Sequence, residues 1–163
     1  MKKTIESQHG TSLLELIMFM AIGLLLFGFV TFNFVSFQQK TSISTSIDTL
    51  ISDFSSQQTK AMIGAESSGT GNSYGVYFQS DRYILFAGSA YSGANPTNFT
   101  VMLDPNIIFT DITFPGSVLI FSQLSGEIAG FADGSNTIAL QSSQGSEKKT
   151  LTINKYGVIT EIN

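Results

Sequence analysis

The chain of 163 residues contains no cysteine, which excludes disulfides, thiolate nucleophiles and thiolate metal ligands. It has a single histidine, His9, so imidazole-rich metal sites and a histidine-based catalytic dyad have nothing to build on. Charged residues make up 12% of the chain, and the formal net charge is −4. Nucleic-acid binding calls for a basic stripe, and this composition does not supply one. No charged residue lies between Glu15 and Lys40, and neither Pro nor Gly interrupts the chain between Gly28 and Gly64. Those two gaps define the chain's first third.

What fills the first gap is an apolar run. After Gly10-Thr11-Ser12-Leu13-Leu14-Glu15-Leu16-Ile17 come Met18, Phe19, Ala21, Ile22, Leu24 to Phe29, Val30, Phe32, Phe34, Val35 and Phe37. A bilayer core needs about 20 apolar residues of helix, and a helix satisfies its own backbone in lipid. The run therefore predicts one membrane-spanning helix near the N-terminus. Lys2 and Lys3 precede it, which favours a cytoplasmic N-terminus with the bulk of the chain outside. A secretory signal would carry a small-residue cleavage site after an apolar core of about 7–15 residues, and none is evident. An uncleaved signal anchor predicts the same topology.

Glu15 is the conspicuous residue of this run. An acidic side chain at mid-membrane costs roughly 2.5–3.5 kcal/mol on insertion scales. One reading leaves it at the headgroup level, snorkelling into water. The other makes it a pairing group: cleavage after Gly10 would expose an amine on Thr11, and a neighbouring subunit's Glu15 would neutralise it. Such a pair contributes little net stability but fixes register.

Gly10, a small residue, three more residues, Glu15 and then an unbroken apolar helix resemble the prepilin-type signal of type IV pilins and type II secretion pseudopilins. The resemblance implies cleavage between Gly10 and Thr11 by a prepilin peptidase on the cytoplasmic side, N-methylation of Thr11, and an assembly role for Glu15. It implies helix packing through Leu13, Leu14, Leu16, Ile17, Ile22, Leu25 and Phe29, and partners among other pilin or pseudopilin subunits, an inner-membrane assembly platform and membrane lipid. Localisation would be the inner membrane, then an extracellular or periplasmic filament. The family's first mature residue is most often Phe or Met; here it is Thr11. Mid-helix proline is absent, leaving Gly23 and Gly28 as soft points, and so is the disulfide that staples the C-terminal loop of many pilins. Without Lys2, Lys3 and Glu6 the remainder is one unit more negative than the whole chain.

From Lys40 the chain turns polar but keeps a helical period. Ile43, Ile47, Leu50, Ile51 and Phe54, extended by Ala61 and Met62, form a stripe opposite Ser42, Thr45, Ser46, Thr49, Ser52, Asp53 and Ser56. One helix is expected from about Leu13 to Ile63, on the order of 75 Å long at 1.5 Å per residue, with Gly64 as its stop. Two helices joined near Gln38 to Thr41 are the alternative.

Beyond the Gly/Ser-rich loop at 65–73 the period becomes that of strands. Tyr74–Phe78 and Arg82–Ala87 flank Gln79-Ser80-Asp81 as a hairpin. Further strands are expected at Phe99–Leu103, Ile107–Phe114, Val118–Phe121, Glu127–Phe131, Thr137–Gln141, Thr150–Ile153 and Val158–Ile162, with Asp104-Pro105-Asn106 and Asn154-Lys155-Tyr156-Gly157 as turns. The fold class expected is α+β: a pilin-like long helix on an antiparallel sheet or sandwich. Its segments are a leader at 1–10, a transmembrane half at 11–37, an amphipathic half at 38–64 and an external β-rich domain at 65–163. Tyr74 to Phe78, Ile120 to Ile128 and Leu151 to Ile159 resemble, more loosely, the minor pilins and pseudopilins of the GspH/FimT type.

Chemistry is sparse. Gly71-Asn72-Ser73-Tyr74-Gly75 has the spacing of a nucleophile elbow, but a strand rather than a helix follows it and His9 lies in the leader. Gly69-Thr70-Gly71 lacks the Lys-Ser/Thr of a phosphate loop. Asp133 to Asn136, and Asp104 to Asn106 with Asp111, read as turns that could also offer oxygens to calcium. Asn98-Phe99-Thr100 has the form of a glycosylation sequon. Lys148, Lys149 and Lys155 form the one basic cluster: a solvated face, or a DNA contact. No enzyme activity, cofactor or metal is expected. The expected function is a structural, minor subunit of a pilus or pseudopilus; the alternative is a membrane-tethered binding module of a DNA-uptake pilus.

Overall fold

The structure, a computed structural model, describes residues 12–64, 72–143 and 147–163. Side chains at 31–41 lie outside this description, as do Gly10 and Thr11. The chain divides into two compact units, Met1–Gln38 and Gln39–Asn163, each taken by itself below.

The helix α1 runs over Leu13–Ile63. Its beginning belongs to the first unit. There Ser12 stands at the N-cap: its Oγ accepts the Glu15 N–H at 3.2 Å, and its carbonyl accepts the Leu16 N–H at 3.1 Å. At the other end Gly64 takes φ +62°, a left-handed stop that costs glycine nothing.

The second unit is α+β. The strands are β1 (Tyr74–Phe78), β2 (Arg82–Ala87), β3 (Phe99–Met102), β4 (Ile107–Ile112), β5 (Val118–Phe121), β6 (Thr137–Ser142), β7 (Lys148–Ile153) and β8 (Ile159–Ile162). They form two antiparallel four-stranded sheets, ordered β3-β2-β1-β5 and β4-β6-β7-β8. A 3-10 turn at Pro115–Ser117 leads into β5. Glu127–Phe131, expected as a strand, makes one bridge only, Ile128 to Phe121. Gly126 and Gly130, both at positive φ, bend the chain away on either side.

One core joins both sheets to α1. From the helix it takes Ile43, Ile47, Leu50, Phe54 and Ala61; from the sheets it takes Val76, Phe78, Tyr83, Phe109, Leu119, Phe121, Ile138, Leu140, Leu151 and Ile153 among others. The buried stripe passes through Gln57, 2% exposed, and leaves Met62 half exposed. The turn of 3.6 residues explains both: Gln57 lies three residues beyond Phe54 on the same face, while Met62 has rotated off it.

Polar groups tie the helix to the strands. Gln58 donates from Nε2 to the carbonyls of Gly126 (2.9 Å) and Tyr156 (2.7 Å), holding two loops against one helical turn. Both loops can approach because Gly126 and Gly157 carry no Cβ, which would sit 2.6 Å from Met62 or Gln58. The buried Tyr83 donates its hydroxyl to Asp53 Oδ2 at 2.5 Å. Burial, reinforced by the Asp53 carboxylate, pushes the Tyr83 phenol far above its ordinary value. In mid-β1, a Cβ at Gly75 would meet the Phe86 ring at 2.5 Å and the Leu119 carbonyl at 2.7 Å, so the ring takes the place of a side chain.

Two outcomes follow. Gly75→Ala should destabilise the second unit by about 1–3 kcal/mol through overpacking, read from the urea midpoint of the detergent-solubilised chain. A raised phenol pKa stabilises the fold below the unfolded-state value near 10 and is lost as pH rises through the folded value. Above about pH 10 stability should therefore fall more steeply than in Tyr83→Phe, by about 1.4 kcal/mol per pH unit, in paired denaturation curves.

Candidate functional site

The candidate site is the N-terminal turn of α1 with the apolar surface that follows it. In the window Leu13–Val30 none of the residues is buried, and the helix there is long and apolar enough to cross a membrane. Leu13, Leu14, Leu16, Ile17, Ile22, Leu25 and Phe29, the expected packing residues, all stand exposed on it, with Leu25 at 75%. Exposure on every side, rather than along one stripe, suits a helix surrounded by lipid or by other helices.

Glu15 occupies the third helical position, one turn inside Ser12. Ser12-Leu13-Leu14-Glu15 is thus a capping-box sequence, a signal that reading Glu15 as a membrane acid overlooked. Its carboxylate lies in the first turn, where the helix dipole favours negative charge. Gly10 and Thr11, the expected processing pair, lie outside the described residues.

The other candidate chemistries find structural employment. Ser73 precedes β1, and its carbonyl accepts the Gly88 N–H, with no helix after it. Asp104 accepts the Asn106 N–H within its turn, and Asn136 donates to the Ile153 carbonyl. Among the described residues no cluster of three or more acidic or imidazole ligands occurs. Asn98 donates its amide to the Ser92 carbonyl. In the lysine cluster, Lys148 pairs with Asp111, and Lys155 pairs with Glu127 at 3.4 Å. Lys148 and Lys149 are adjacent in β7 and point to opposite faces. The cluster is thereby split, and two of its three lysines are paired with carboxylates, which weakens it as a phosphate track.

Clefts open in the second unit among the described residues. One, of about 480 Å³, lies between Ile51, Phe54 and Gln58 of α1 and Val158, Ile159 and Ile162. Another, of about 760 Å³, is lined by Asp53, Gln57, Lys60, Tyr74, Asn95 and Phe99.

Searches against protein-family models, curated proteins and solved structures find no match to this chain.

Removing the cap tests the local part of this site. Ser12→Ala should weaken the first turn by about 1 kcal/mol, speeding amide exchange at Glu15 several-fold in micelles while leaving residues 43–63 unchanged.

Proposed function

We propose that this chain is a structural subunit of a pilus or secretion pseudopilus of the type IV pilin class, held in the inner membrane by α1 before assembly. A minor subunit of the GspH/FimT kind is the form this reading takes. The observation that carries it is the division of a single helix between two environments. Its first part exposes apolar side chains on all sides beneath one carboxylate, while residues 43–61 bury a stripe in a β-rich core.

In this mechanism the leader is cut between Gly10 and Thr11, and the new amine becomes a cation near the membrane surface. Glu15 of an adjoining subunit meets that cation, neutralises it and sets the stagger between helices. The apolar surface then exchanges lipid for neighbouring helices at little cost in hydrophobic free energy, since lipid and helix are similarly apolar. The charge pair therefore selects the register that non-directional packing leaves open. The β-rich unit takes no chemical step.

Two substitutions separate pairing from capping. Glu15→Gln keeps a side chain that can close the capping box, and removes the charge; Glu15→Ala removes both. Both variants should insert in the membrane normally and both should lose incorporation into sheared filaments by about tenfold or more, the yield expected when a charge pair worth over about 1.4 kcal/mol is lost. Normal incorporation of Glu15→Gln beside a defect in Glu15→Ala would reduce Glu15 to a capping residue.

A further inference from the structure

Among the described residues two buried side-chain atoms lack a hydrogen-bond partner, Gln57 Oε1 and Asn98 Oδ1. Folded proteins leave few such atoms, and each calls for a physical reason. Both lie at the cleft of about 760 Å³. Gln57, 2% exposed, is part of its α1 wall, and Asn98 stands between Thr97 and Phe99, which line the wall built by the β2–β3 connection. The orientation of each amide is fixed by its nitrogen. Gln57 Nε2 donates to the Gly75 carbonyl at 3.4 Å, and Asn98 Nδ2 donates to the Ser92 carbonyl at 2.8 Å. Turning either amide over would set oxygen against oxygen, so the leftover group in both cases is an acceptor.

The two walls are built before any ligand arrives. On α1, Asp53, Gln57 and Lys60 follow one another at i, i+4 and i+7 and share a face. Asp53 already accepts the Tyr83 hydroxyl, and Lys60 has no carboxylate partner among the described residues. The connection opposite is held by its own contacts. The Tyr91 ring stacks on Tyr77 at 4.2 Å and meets Phe86 edge-on at 5.6 Å. Asn95 Oδ1 accepts both the Thr97 N–H (3.0 Å) and the Thr97 hydroxyl (2.8 Å). Phe99 lines the cleft with its ring 65% exposed. A wall ordered in advance lowers the entropic cost of binding.

We propose that this cleft binds a neutral mono- or disaccharide. Two unpaired acceptors ask for a ligand that donates. Phosphates and carboxylates offer only acceptors, and Asp53 in the same wall repels them. Ammonium groups donate, but Lys60 repels them, and one charge of each sign leaves the α1 wall neutral. A divalent cation would want several carboxylates, and the described residues hold no such cluster. An acyl chain would strand Asp53, Lys60 and both amides without partners. Hydroxyl groups donate and accept at once, so one sugar can satisfy Gln57 and Asn98 and also accept from Lys60. The Phe99 ring offers an apolar face for the sugar's C–H surface. The volume lies within the range of roughly 300–1,000 Å³ usual for small-molecule sites. The site belongs to the second unit alone and uses neither Glu15 nor the apolar helix, so it does not depend on the function proposed above.

Glucose, galactose, N-acetylglucosamine, lactose and chitobiose are titrated into the full-length chain, held in a detergent without a sugar headgroup. The side-chain amide signals of Gln57 and Asn98 are followed by NMR. At least one sugar should shift both signals saturably, with Kd on the order of 1 mM or tighter. Raising salt from about 0.05 M to about 0.5 M should change that value by less than about twofold, because no net charge is bound. Gln57→Met keeps the length of the side chain and removes its acceptor, and Phe99→Ala removes a mostly exposed ring. Each should weaken binding by about tenfold or more, with the backbone signals of β6 and β7 unmoved. Unchanged affinity in either variant would overturn the proposal. So would amide signals that respond to no sugar, which would leave the two oxygens to water alone. Shifts produced by trialanine, spermidine or inorganic phosphate, and by none of the sugars, would assign the cleft to another class of ligand and overturn it equally.

Discussion

The apolar surface of Leu13–Val30 cannot be left in water. Burying one large aliphatic or aromatic side chain contributes about 1.5–3 kcal/mol, and this window presents more than a dozen of them. The sum is on the order of tens of kcal/mol, larger than the roughly 5–15 kcal/mol that holds a typical domain together. Lipid or other helices must therefore cover the segment, and the chain's composition accords with that demand: no charge from residue 16 to 39, and the sole acid of the window in its first turn. A carboxylate there gains from the helix dipole, which lowers the cost of holding a charge at that position.

The second unit meets the opposite demand. Its part of α1 is rich in Ser and Thr, which form helix indifferently, so the helix there is held from outside by the sheets. The Ile43, Ile47, Leu50 and Phe54 side chains supply the apolar contact, while Gln58 and the Tyr83–Asp53 bond fix rotation and height. Polar ties of this kind add about 0.5–1.5 kcal/mol each, but leaving their buried partners unsatisfied costs more, which gives them directional weight that hydrophobic contact lacks.

Much of this architecture is readable from residue order. The helix-to-strand change shows at Gly64 because the apolar period shifts there and because glycine alone enters the left-handed stop without strain. The β1–β2 hairpin is legible because two short runs rich in aromatic and aliphatic residues flank the turn residues Gln79-Ser80-Asp81. The division of eight strands into two sheets is not legible, since pairings such as β1 with β5 join residues more than forty positions apart and no local pattern encodes them. Glu127–Phe131 misleads because its apolar content suits a strand, while the glycines at 126 and 130 set backbone angles that end pairing. Gln57 lies in the buried stripe although its side chain is polar, a case where helical geometry overrides residue type. At the candidate site Glu15 is readable as the lone acid of an apolar run, but the bond of its N–H to the Ser12 Oγ requires the capping pattern to be sought within that run, where a membrane reading draws attention elsewhere.

The proposed function rests on cleavage of the chain between Gly10 and Thr11, ahead of an apolar helix that carries a lone acid in its first turn. Intact mass measurement of the native polypeptide recovered from membrane and filament fractions tests this most directly. A chain beginning at Thr11, with the mass of one added methyl group on its terminus, is the predicted result. Recovery solely of a chain that still begins at Met1 would contradict it.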